Sequence, residues 1–127
     1  LTPVTALSVA DRREPTVPER DRVLHDYRSA ASALRAGDYA EAKARLDDAG
    51  IEQVTLVGAM SHMCIDAMTR AGKDYDYDCT VLHDACATLD LEFNGVKVPA
   101  AQVHAAYMAA LSFAYANVFY TKTYLNR

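Results

Sequence analysis

A chain of 127 residues, 51% apolar and 24% charged, has the balance of one globular domain, large enough for a hydrophobic core and too small for two. The net charge is −4, and the densest basic group (Arg12, Arg13, Arg20, Arg22) is interleaved with acids, so a nucleic-acid partner is not expected. No apolar run approaches the roughly 18 residues of a membrane span, and Leu1 to Asp11 lack the pattern of a signal peptide. Three cysteines without CxxC pairing make neither a disulfide framework nor a zinc site, so a reduced, cytoplasmic setting is expected.

Val4 to Val9 (VTALSV) reads as a short buried strand running into a polar turn at Asp11-Arg12-Arg13-Glu14-Pro15. Pro18-Glu19 starts a helix in which Val23, Leu24, Tyr27, Ala31 and Leu34 recur at helical spacing until Gly37. Asp38 caps a second helix, Tyr39 to Asp48, which ends at Gly50. Its neighbourhood, Leu34 to Ala49, matches one tetratricopeptide turn, but no second copy follows.

Val54-Thr55-Leu56-Val57-Gly58 has the near-continuous apolar character of a parallel strand covered on both faces. A helix from about His62 to Lys73 follows and is expected to bury Met63, Ala67 and Met68. Asp78 to His83 is a further strand ending at Asp84. Pro99 opens a long helix, Ala100 to Tyr115, with Val103, Ala106, Tyr107, Ala110 and Leu111 on one face. Asn117 to Tyr124 reads as the last strand. Strands alternating with helices specify an α/β domain with a parallel sheet and flanking helices, whose sites sit at the carboxyl ends of the strands.

Gly58-Ala59-Met60-Ser61-His62-Met63-Cys64 places a cysteine at the start of a helix just after a strand. A helix start offers partial positive charge and unpaired N–H groups, which favour a thiolate and can hold an oxyanion. The competing role for Cys64 is that of a small buried hydrophobe.

The run GAMSHMCIDAMTRA, followed by DCTVLHDACATLDLEFNGVKVPAAQVHAAYMAAL, resembles the isochorismatase-like family, which includes nicotinamidases and related amidohydrolases. The resemblance implies that Cys64 is the nucleophile, that the backbone N–H groups of Met60 and Cys64 form the oxyanion hole, and that the Ala59–Met60 peptide is cis. Thr5 to Asp11 resembles the first strand of that family, which makes Asp11 the implied general base. Arg12 and Arg13 replace the hydrophobic residue and glutamine usual after it. The second and third strands of the family, with the catalytic lysine, have no counterpart between Gly37 and Asp38. The expected fold is then one domain over residues 1–127, with the first strand and helix in 1–37 and the nucleophile half in 38–127. Its sheet would be a compact four-stranded parallel one, in the family order 1-4-5-6. The first strand becomes an edge, which implies a covering element or a homo-oligomer.

His62 is a candidate pocket-lining residue, with plain exposure as the alternative. Asp84 is another, with turn capping as its alternative. Cys79 and Cys86 read as buried small residues and His104 as structural or at an interface, while His25 and His83 have no obvious metal partner; no metal and no cofactor are expected. Gly72, inside a helix where the family has alanine, and Asp76, where its turn has glycine, are expected to cost stability. The resemblance implies a cysteine hydrolase acting on a small-molecule substrate with an amide or related C–N bond. The rival is a non-catalytic derivative of the fold that binds or oligomerises.

Overall fold

The computed structural model describes residues 6–8 and 38–126. Its main sheet has four strands in the order β1-β2-β3-β6: β1 (Ala6–Ser8), β2 (Gln53–Ala59), β3 (Asp78–Ala87) and β6 (Asn117–Phe119). β2, β3 and β6 are parallel, as the alternating pattern predicts. β1 corrects that reading. It lies beside β2, but antiparallel, with Ala6 opposite Val57 and Ser8 opposite Thr55. A three-residue apolar strand carries an alternation but no direction, so the sequence could place it next to β2 without orienting it.

Helices cover both faces. On one lie α1 (Tyr39–Asp48), α2 (Asp66–Asp74) and α3 (Ala100–Ala114), and on the other the short α4 (Thr121–Leu125). Alternation along the strands sorts the faces. Val54 and Leu56 of β2 and Cys79 and Val81 of β3 join Ile65, Tyr77, Met108 and Leu111 in one buried cluster. Thr55 points the other way, its hydroxyl 2.9 Å from that of Tyr124 on α4. Each fully buried Leu56, Ile65, Val81 or Leu111 contributes roughly 1.5–3 kcal/mol.

The caps and stops explain the helix limits. The Asp38 carboxylate accepts the Glu41 N–H at 2.9 Å, and Gly50 takes φ +68° just past α1. Pro99 precedes α3 as expected.

Three element readings change. The segment expected as a strand from Asn117 to Tyr124 keeps that form only to Phe119, and α4 follows. A hairpin, β4 (Leu91–Phe93) with β5 (Val96–Val98), was not expected at all. Its signal was present: Asn94-Gly95, both at positive φ, is a strong two-residue turn. Before α2 the chain takes one π-helical turn, Ser61–Ile65, which shifts the helical phase. Ile65 and Thr69 are therefore the buried residues, whereas Met63 is 51% exposed and Ala67 is also exposed. On α3 the core side is Val103, Met108 and Leu111; Ala106 and Ala110 face outward.

β3 is irregular where it matters for the site. Pairing with β2 is regular to Leu56 opposite Val81 and resumes at Gly58 opposite Cys86. Val57 alone therefore stands against residues 82–85, a bulge that re-aims His83 and Asp84.

Candidate active site

Near the end of β2, Gly58 takes a φ of +127° that suits only glycine, and the Ala59–Met60 peptide that follows the strand is cis. The π turn starts immediately after. Its geometry follows from one carbonyl: Met60 O accepts the N–H of Met63 at 3.0 Å and of Ile65 at 3.3 Å, passing over Cys64 between them. Cys64 itself is half-buried on this turn.

The turn is braced from β3 and α3. Ser61 is completely buried; its hydroxyl donates to the Ala87 carbonyl at 3.3 Å and lies 2.8 Å from His104 Nδ1. With the serine proton on Ala87, the His104 Nδ1–H donates to the serine oxygen. Burial, and next the nearby His83, holds the His104 imidazolium below its ordinary pKa. His62 shares a hydrogen bond between its Nδ1 and the Thr88 hydroxyl, and its ring meets Tyr107 edge-on at 6.1 Å. Two residues beyond Cys64, Asp66 pairs with Arg70 at 2.9 Å, and the Arg70 guanidinium stacks 4.4 Å over the Tyr115 ring.

The structure thus gathers Ser61, His62, Thr88 and His104 around the Cys64 turn. His62, a candidate for pocket lining, is half-buried and engaged with Thr88. Asp84 takes the capping role weighed for it. Its exposed carboxylate accepts the Thr121 N–H at 2.8 Å and hydroxyl at 2.9 Å, and these donors, the backbone N–H foremost, keep it below the usual carboxylate range. Asp11, the implied base, lies outside the described residues. β1, which precedes it, ends beside Thr55, at the other end of β2 from the Cys64 turn.

The other thiols are set apart by burial. Cys79 is 2% exposed, and desolvation pushes its thiol up to about 11; burial also raises Cys86. Among the described residues no lysine bonds to the Cys64 turn, and the half-buried one, Lys43, pairs with Asp47. The bond of Ser61 to His104, across 43 positions, was not legible in the sequence, because no periodicity links a strand-end serine to a distant helix.

A parallel sheet with a cysteine on the turn from a strand into a helix defines the class. The comparisons define the family. Residues 11–115 match the model of the isochorismatase domain. The chain is 44% identical over 81 residues to the uncharacterized isochorismatase family protein YddQ of Bacillus subtilis (strain 168), an alignment covering 64% of this chain and 45% of that protein. It is 65% identical to a crystal structure from Oleispira antarctica provisionally described as an isochorismatase hydrolase, covering 67% of this chain and 45% of that one with a TM-score of 0.65. An isochorismatase from Pseudomonas putida KT2440 is 38% identical, covering 61% and 40%, with a TM-score of 0.59. The chain belongs to the isochorismatase domain family, and it spans under half the length of these relatives.

Proposed function

We propose that this chain carries the thiol site of an isochorismatase-family hydrolase acting on a small amide or related C–N bond. Cys64 attacks the substrate carbonyl, and the N–H groups of Met60 and Cys64 hold the oxyanion. Asp11 takes the thiol proton and returns it to the departing amine; water then hydrolyses the thioester and regenerates the thiol. The observation that supports this reading is the turn itself. The Met60 carbonyl passes over the Cys64 N–H, and that amide and the half-buried sulfur belong to one residue at a helix start.

A second reading, a derivative of the fold that binds or oligomerises without turnover, draws support from the direction of β1. β1, which precedes Asp11, ends at Ser8 opposite Thr55, toward the end of β2 away from the Cys64 turn, and no described lysine completes a triad. Loss of one member of such a unit typically costs several powers of ten in rate.

Iodoacetamide labelling at neutral pH, read cysteine by cysteine by mass spectrometry, separates the two. The hydrolase reading expects Cys64 to react faster than free cysteine, with the advantage lost in Asp11→Ala. It also expects ammonia release from a panel of small amides that disappears in Cys64→Ala. A Cys64 rate equal to free cysteine, with no release from any amide, would leave the binding derivative.

A further inference from the structure

A second constellation lies beside the edge strand β6 and includes His104, the partner of Ser61. His83 from the β3 bulge and His104 from α3 bring their rings to 6.2 Å between centroids, and both open onto a cleft. Met108, one helical turn past His104 on the same side of α3, lines that cleft too, between Ala105, Ala109 and Val118. Two imidazoles sharing one ion at the usual metal–nitrogen distance have centroids at most about 6.4 Å apart, so the observed spacing is within reach. His104 is already oriented as a ligand: its Nδ1 is held by Ser61, which leaves Nε2 for the cleft.

The donor set decides the kind of ion. Two neutral imidazoles and a thioether bring no charge, and thioether sulfur favours soft ions. The adjacent carboxylate, Asp84, does not line the cleft, and its Oδ1 accepts both donors of Thr121. Among the described residues no three His, Cys, Asp or Glu side chains cluster around a metal position. A divalent ion would therefore keep its full charge in a partly desolvated cleft, at a cost that grows steeply with charge, whereas a monovalent soft ion would not.

We propose that His83, His104 and Met108 form a binding site for a soft monovalent metal ion, copper(I) being the cellular one. The site shares His104 with the bracing of the Cys64 turn, through its bond to Ser61, and does not depend on the hydrolase reading.

The test has two arms on the intact chain. Copper(I) is titrated anaerobically against a chromophoric chelator, and silver(I), a redox-inert probe, is titrated while the methionine methyl resonances are followed, both after iodoacetamide has capped the accessible thiols, which would otherwise take the first soft ions. We expect the Met108 methyl to shift with the first equivalent of silver. Copper affinity should fall about tenfold or more in both Met108→Leu and His83→Gln. Met108→Leu conserves volume, so folding is preserved for that comparison. A Met108 resonance that stays still while silver binds overturns the site. So does copper binding that survives both variants.

Discussion

Gly72 reverses its expected meaning. By helix propensity it is a liability of about 1 kcal/mol against alanine. In the structure, a Cβ there would stand 2.7 Å from the Cys79 sulfur and 3.9 Å from Val54. Cys79 sits on a central strand at 2% exposure, so a Cβ at 72 forces the packed interior to shift, and the glycine and the cysteine are one packing solution. Gly72→Ala should accordingly lower the thermal midpoint, while Gly72→Ala with Cys79→Ala should recover most of the loss, a non-additivity measurable in a double-mutant cycle. Asp76 behaves as its sequence suggests: it holds φ +66°, in the left-handed region, where a side chain is costly. Asp76→Gly should raise stability by roughly 0.5–1 kcal/mol in denaturant melts. At this scale the sequence reveals local backbone strain, as at Asp76, because the turn is contiguous. It does not reveal Cys79 against Gly72, because that contact joins a strand to a helix.

The π turn marks where reading by element works and where it fails. A strict period of 3.6 assigns Met63 and Ala67 inward, but one inserted residue rotates the stripe and brings Ile65 and Thr69 to the core. Limits set by punctuation were legible: Asp38 and Gly50 around α1, Pro99 before α3. The end of β6 carries no such mark, so a strand was extended into what is α4. α1 also docks through a titrating contact. The Tyr77 hydroxyl donates to Asp47 at 2.6 Å, and Lys43 pairs with the same carboxylate. Lys43 first, then Tyr77, holds the Asp47 carboxyl below its ordinary 3.8. A carboxyl lowered by folding contributes stability above the unfolded pKa, and that stability is lost as pH falls through the folded value. Thermal midpoints measured from about pH 6 down to about pH 3 should fall less steeply for Asp47→Asn than for the unaltered chain. The effect should be small, because the pair is exposed to solvent.

Across the molecule the strand order was readable and one strand direction was not. β2, β3 and β6 share the buried cluster, and the hairpin β4–β5 forms a sheet of its own with Phe93 78% and Val96 63% exposed. Hydrogen exchange should therefore be slowest at the amides of Val54 to Leu56 and Cys79 to Leu82 and fast throughout 91–98. Equal protection in the hairpin would contradict this division. The candidate site was legible as far as its backbone frame, since strand end, turn and helix start are contiguous. Its supports were not, because Ala87, Thr88 and His104 come from elsewhere in the chain. Those supports have a consequence for protein engineering. Ser61 and His62 are fastened to the end of β3 and to α3, and among the described residues these fastenings come from neither β1 nor α1. A designer transplanting this turn into another α/β scaffold would have to carry β3 and α3 with it and could leave β1 behind.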